Sequence, residues 1–209
     1  LNLMIFSTNK KQKDLITLII GKVLQIIIML VSIRILTSVL SEKEVGQYYL
    51  LTTLLTLLNF SFMNPAGQYY NRHIIEWNKS GNLSNATFVL LIARILGIVV
   101  ALPISVFVFY LLNYEEYFTI FTFLNFISIS LFSGTYNVLL NVTNILGDRL
   151  YFTKFLVLSL FLGVCLSIFG THFLNFKTGI VWLYGISVSQ LIFLIPLLLK
   201  ITQNQKVMF

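Results

Sequence analysis

Long apolar runs separated by short polar turns dominate the pattern of the chain. Six runs each hold about the 20 residues that a helix needs to cross a hydrocarbon layer ~30 Å thick. They are roughly twice as long as the strands of a membrane β-barrel and do not alternate between polar and apolar positions. The pattern therefore predicts an all-α integral membrane protein with six transmembrane helices, at residues 15–40, 45–70, 87–112, 118–141, 151–171 and 178–199.

Composition supports this class and excludes others. Of the 209 residues, 57% are hydrophobic and 10% are charged, whereas a soluble domain carries about 25% charged residues. One globule of this size cannot bury so much apolar surface, so the chain needs an apolar solvent. Soluble enzymes, nucleic-acid-binding domains and disordered chains are excluded as descriptions of the whole chain, and no nucleic-acid partner is expected.

Few residues are suited to catalysis or to metal binding. Cys165, the single cysteine, lies in an apolar run and is predicted to be a small core residue. His73 and Glu76 are three residues apart, but a metal site needs three or four ligands. Glu115 and Glu116 are predicted to lie on a solvated loop. The sequence therefore predicts no enzyme, no metal and no cofactor.

Basic residues near the predicted helix ends indicate the orientation in the membrane. With a cytoplasmic N-terminus, only Lys43 and Lys177 lie outside. This predicts a cytoplasmic segment at 1–14, a six-helix transmembrane lobe at 15–200 and a cytoplasmic tail or linker at 201–209. The nine basic residues on the inner side are then Lys10, Lys11, Lys13, Arg72, Lys79, Arg149, Lys154, Lys200 and Lys206.

Three cations fall inside predicted spans. Lys22 and Arg94 lie roughly 10–12 Å from the cytoplasmic ends of their helices, and Arg34 lies near the outer end of the first helix. Because a basic residue at depth costs about 2.5–3.5 kcal/mol, it usually faces a cavity or a partner. We predict that these three residues, with Gln25, line a cationic cavity that binds an anion such as phosphate. The alternative is that their side chains extend to the lipid headgroups.

Polar residues also mark the cytoplasmic side of the predicted bundle. Asn137 and Asn141 are four residues apart on one face of the fourth predicted helix, which is expected to continue beyond the membrane. Together with Arg72 and Arg149, they are candidates for a cytoplasmic gate. Pro65 is expected to bend the second span, because proline removes a backbone hydrogen bond.

Residues 34–50, which read RILTSVLSEKEVGQYYL, resemble the junction between the first two helices of polysaccharide flippases. These are the Wzx-type O-antigen and capsule transporters of the multidrug/oligosaccharidyl-lipid/polysaccharide exporter superfamily. That junction has an Arg, a Leu-Thr or Leu-Gly pair, an acidic turn and then Gly-x-Tyr. The segments 65–72 and 141–149 are similar to the same family.

The resemblance implies a transporter of two six-helix lobes around a central cationic cavity in the bacterial inner membrane. Its cargo would be undecaprenyl-pyrophosphate-linked oligosaccharide, and its partners would include membrane lipid and a C-terminal lobe. The six predicted spans would then be the N-terminal lobe, and the chain would be a fragment.

Two alternatives remain open. A multidrug or cation exporter of the same superfamily would be expected to hold an acidic residue inside this lobe, but in the first helix only Asp14, at its entrance, is acidic. A membrane-embedded glycan-processing enzyme would need a large loop with convergent acidic or histidine residues, and the longest predicted loop has about 15 residues.

Overall fold

The computed structural model describes residues 2–111, 119–172 and 178–203, and within these ranges it contains helices and short connections but no β-strand. This confirms the prediction of an all-α chain. Some predicted features lie outside the described residues. They are the span ends at residues 112 and 118, the loop with Glu115 and Glu116, Lys177, and the tail beyond residue 203.

The helices are α1 (Asn2–Val39), α2 (Glu42–Leu58), a π-helical turn (Asn59–Met63), α3 (Asn64–Lys79), α4 (Leu83–Leu111), α5 (Ile120–Ile145), α6 (Arg149–His172) and α7 (Gly179–Gln203).

Five helical segments in the described ranges are long and apolar enough to cross a membrane, which is the composition expected of a membrane protein. They coincide with five of the six predicted spans. The segments are Leu15–Val39, Leu83–Leu111, Ile120–Ile145, Arg149–His172 and Gly179–Thr202.

The second predicted span is not a single regular α-helix. At the end of the π-turn, the backbone N–H of Asn64 donates to the carbonyl oxygen of Asn59, five residues earlier. Pro65 follows directly; it has no N–H to donate, and its ring would crowd the carbonyl group four residues earlier in a regular helix. The wider π-turn accommodates this proline. The helical path then continues through α3 to Lys79, so α2 and α3, with 17 and 16 residues, share the run that we predicted as one span.

Local sequence signals explain where several helices begin and end. Ser41 and Glu44 form a capping box at the start of α2, in which the Ser41 N–H donates to the Glu44 carboxylate at 2.8 Å. Gly81 and Gly147 have positive φ angles of 72° and 89°, in the left-handed region that glycine adopts readily. These glycines form the tight turns between α3 and α4 and between α5 and α6.

Helix α5 lies at the centre of the lobe and contacts α7, α4, α6 and α3. In the most apolar stretch of α5, 61% of the residues are buried inside the protein. In the most apolar stretch of α1, only 6% are buried. Helix α1 packs mainly on α6, where Gly21 lies against Thr153. Residues 2–14, which belong to the predicted cytoplasmic segment 1–14, are helical and continue directly into the rest of α1.

Small and polar residues hold α5, α6 and α7 together. Tyr136 on α5 donates from its hydroxyl group to the carbonyl oxygen of Phe155 at 2.7 Å and to Ser159 Oγ at 2.9 Å, both on α6. Ser167 on α6 donates to the carbonyl oxygen of Trp182 on α7 at 2.7 Å. Interhelical hydrogen bonds and small residues are typical of packing between membrane helices, where burial of apolar surface supplies little driving force.

The prediction that Cys165 is a small core residue is wrong, because its side chain is exposed on α6. The face of α6 that is buried carries small residues instead, including Gly163, Ser167 and Gly170. An apolar outer face has no penalty where the solvent is lipid. An apolar neighbourhood in the sequence therefore does not indicate burial in this class of protein.

Candidate functional site

Arg94 lies on the buried face of α4 and is 1% exposed. Helix α4 begins directly after the turn at Gly81, and its buried positions recur every three or four residues in its first half. This periodicity places an arginine within an otherwise apolar and small-residue stripe. The stripe consists of Leu83, Thr87, Leu90, Arg94, Ala101, Ser105 and Phe109.

The guanidinium group of Arg94 lies between α3 and α5, beside two glycines. A Cβ atom added at Gly67 of α3 would lie 3.0 Å from Arg94 Nη2, and one added at Gly134 of α5 would lie 3.7 Å from Nη1. The amide of Asn59 in the π-turn is also close, since its Nδ2 lies 3.6 Å from the same added atom at Gly134. Arg94 is therefore enclosed by α3, α5 and the π-turn.

Two donor nitrogens of this arginine are free within the described part of the protein. Arg94 Nε and Nη1 are buried and have no hydrogen-bond partner there, and the same is true of Asn71 Oδ1 on α3. A buried charge without a partner costs several kcal/mol. Nε and Nη1 lie on different edges of the planar guanidinium, and each can donate a charged hydrogen bond to an oxygen atom of a phosphate or a carboxylate. The arrangement is suited to anion binding.

Lys22, Gln25 and Arg34 occupy different surroundings from Arg94. Lys22 is exposed on α1, and its Nζ donates to Gln25 Oε1 at 3.0 Å. Arg34 is also exposed. Helix α1 packs mainly on α6, whereas α4 packs mainly on α5 and α3. Within this chain, the three cations that we predicted to share a cavity are thus divided between an enclosed position and the open side of α1.

The four candidate gate residues lie at or near the outside of the lobe. Asn137 and Asn141 are exposed on α5, and Arg72 is exposed on α3, while Arg149 is half-buried at the start of α6. Asn137 and Asn141 follow Gly134 by three and seven residues, so they lie on the same side of α5, about 5 and 10 Å further along it. A polar strip therefore leads from the surroundings of Arg94 to the end of α5.

No metal centre is formed by the part of the chain that the structure describes, since no three His, Cys, Asp or Glu side chains come together there. His73 packs against the ring of Tyr69, with ring centroids 4.4 Å apart. Its Nδ1 lies 2.9 Å from the carbonyl oxygen of the same tyrosine.

Three residues around Arg94 were absent from the predicted site: Asn59, Gly67 and Gly134. Gly67 and Gly134 interrupt long helices, which usually marks a close approach of another group in a membrane helix. Asn59 lies within an apolar run. Both signals are visible in the sequence, but neither identifies Arg94 as the neighbour.

Comparison with known protein families, curated proteins and solved structures finds no match to this chain. The resemblance of residues 34–50 to polysaccharide flippases therefore stays a prediction.

Proposed function

We propose that this chain is one six-helix lobe of a transporter in the bacterial inner membrane, with both termini in the cytoplasm. Its cargo is an undecaprenyl-pyrophosphate-linked oligosaccharide used for surface polysaccharide. The observation that carries the proposal is Arg94, whose buried guanidinium keeps Nε and Nη1 without a partner in the described chain. A pyrophosphate group supplies the acceptor oxygens and the negative charge that such a site lacks.

The lack of an acidic residue on α4 favours an anionic ligand for Arg94 over a simple structural role. A structural arginine in a membrane interior is normally paired with an acid or with backbone carbonyl groups. Helix α4 contains no Asp or Glu, and the guanidinium packs against the backbone of Gly67 and Gly134. The polar strip of Asn137 and Asn141 then offers amide groups to the sugar hydroxyls near the cytoplasmic side.

Lys22, Gln25 and Arg34 belong to the same proposal through a second lobe. They lie on α1, which exposes most of its surface within this chain. With a second lobe placed beside α1, Lys22 and Arg34 would line the cavity between the lobes at two depths. A phosphate group could then pass from one cation to the next as the transporter changes its open side.

Surface polysaccharide in the bacterium that carries this gene tests the proposal. We expect Arg94→Gln to abolish polysaccharide display while the protein still inserts, because the charge that holds the pyrophosphate is lost. Arg94→Lys keeps the charge but loses the planar set of hydrogen-bond donors, so partial display is expected. Lys79→Gln, which removes an exposed charge at the end of α3, is the matched control. Normal display in the Arg94→Gln strain would exclude this function for Arg94.

A further inference from the structure

A groove with a cavity of about 400 Å³ runs between α3 and α4, and Arg94 is not among the residues that line it. Aromatic residues of α3 form one wall, namely Tyr69, Tyr70 and Trp77, and small or branched residues of α4, such as Ala86 and Val89, form the other. The volume lies in the range of about 300–1,000 Å³ that is typical of small-molecule sites. We call this feature the α3–α4 groove.

The walls of the α3–α4 groove are fixed by contacts that need no ligand. The hydroxyl oxygen of Tyr70 lies 2.6 Å from Thr87 Oγ1, which in turn donates to the carbonyl oxygen of Leu83 at 2.7 Å. The ring of Trp77 lies 5.5 Å from that of Tyr70 and 6.0 Å from that of Tyr69. The groove is therefore formed before anything binds in it.

Polar and apolar groups are separated along the groove. Asn82 and Asn85 lie at the end next to the α3–α4 turn, whereas Ala66 and Ala93 line the other end. From Trp77 to Ala66, the helix rises about 16 Å, so the groove is long as well as amphipathic. None of the residues that line it carries a charge. Its occupant is accordingly a neutral group with a short polar end and a long apolar part.

The groove opens onto a side of the lobe that suits lipid. Val89 is 63% exposed and Tyr69 is 62% exposed at its rim. Val89 belongs to Leu83–Leu111, a segment long and apolar enough to cross a membrane. Trp77, near the polar end, has the kind of amphipathic ring that is enriched at membrane–water interfaces. A molecule entering from this side therefore comes from the membrane itself.

A hydrocarbon chain fits these observations better than a sugar does. Sugar hydroxyls buried at the apolar end, beside Ala66 and Ala93, would lack partners, and each unsatisfied polar group costs about 1–3 kcal/mol. We propose that the α3–α4 groove binds one acyl chain of a membrane lipid, with the lipid's ester region at the amides of Asn82 and Asn85. This site is separate from the proposed transport of an anionic cargo.

Fluorescence of Trp77 gives a direct test, because Trp77 and Trp182 are the only tryptophans in the sequence. The full chain with Trp182→Phe is placed in lipid nanodiscs and titrated with a monoacylglycerol whose chain carries two bromine atoms. Bromine quenches tryptophan fluorescence on contact. We expect quenching that saturates at about one probe per protein, above the linear background given by probe dissolved in the bilayer.

Two substitutions that fill the groove, and one control, make the result specific. Ala86→Phe narrows the groove, and Val89→Phe does so from an exposed rim position where a larger side chain disturbs no core packing. We expect either change to weaken the saturable phase at least about tenfold, equivalent to 1.4 kcal/mol. Val99→Phe adds the same bulk to an exposed position of α4 outside the groove and should leave the saturable phase intact.

Two results would overturn the proposal. One is quenching that rises linearly with probe concentration and is identical in the Val89→Phe and Val99→Phe proteins. This result would mean that lipid surrounds this part of the chain without binding in the groove. The other is loss of the saturable phase on addition of maltose, which would assign the groove to a sugar.

Discussion

The Cα atom of Gly67 faces the guanidinium of Arg94 so closely that a Cβ atom added to the glycine would lie 3.0 Å from Nη2. The same added atom would lie 3.0 Å from Val138 Cγ2. A glycine on α3 thus gives an arginine on α4 the space to reach the side of α5. The position of the Arg94 guanidinium depends on this absent side chain.

Gly67→Ala should therefore destabilise the lobe. The added methyl group crowds both Arg94 and Val138, and crowding of a packed interior costs about 1–3 kcal/mol. We expect a loss of about 1–2 kcal/mol in the free energy of unfolding, measured by denaturant titration in mixed micelles. Gly46→Ala on α2 is the control, because an added Cβ there meets nothing within 4 Å. Equal stability of the two variants would contradict the close approach at Gly67.

Gly185→Ala should disrupt the contact between α6 and α7 more severely. An added Cβ would lie 2.6 Å from the backbone nitrogen of Ser167, and backbone cannot move aside as a flexible side chain can. We expect a loss of about 3 kcal/mol in unfolding free energy. Cys165→Ala, on the exposed face of α6, should change it by less than about 0.5 kcal/mol. An unaltered unfolding midpoint for Gly185→Ala would mean that α6 and α7 pack differently.

Lys200 joins the end of α7 to the α5–α6 turn through two contacts. Its Nζ pairs with the carboxylate of Asp148 and lies 3.5 Å from the ring centroid of Tyr151. Since Asp148 is 46% exposed, the ion pair should contribute no more than about 1 kcal/mol. We expect Lys200→Met to destabilise the protein more than Asp148→Asn, because it removes both contacts.

A double-mutant cycle with these two substitutions isolates the ion pair from the contact with the ring. We expect a coupling energy of about 0.2–1 kcal/mol that falls as salt concentration rises. A coupling energy near zero at low salt would assign the stabilisation by Lys200 to Tyr151 alone.

The orientation in the membrane can be tested with single cysteines at two exposed positions, Lys79 and Lys43, in a chain that carries Cys165→Ser. The distribution of basic residues predicts that Lys79 faces the cytoplasm and that Lys43 faces outward. An impermeant thiol reagent added to intact cells should therefore label the cysteine at position 43 only. Labelling confined to position 79 would reverse the proposed topology.

The length of the apolar runs predicted most of the helices, because a run of about 20 apolar residues has few alternatives to a helix in a membrane. It did not predict the π-turn, since Pro65 indicates only that the regular hydrogen bonding is interrupted and not how the chain adapts. It also misplaced Cys165, because an apolar residue in lipid gains little by facing the protein interior.

The surroundings of each cation were harder to predict than its depth. Lys22 and Arg94 have similar depths in the sequence pattern, yet Lys22 is exposed beside Gln25 and Arg94 is enclosed near Gly67. Depth follows from the distance along one helix. The face that is covered depends on which helices pack together, and a single sequence does not contain that information.

Binding of a polyprenyl pyrophosphate to the purified full chain in nanodiscs tests the central claim, that Arg94 holds an anion, most directly. With Lys79→Gln as the control for loss of one positive charge, we expect Arg94→Gln to weaken binding at least about tenfold, because the phosphate loses its charged hydrogen bonds. The Lys79→Gln protein should bind as the wild type does. Equal affinity of the Arg94→Gln and wild-type chains would contradict the account.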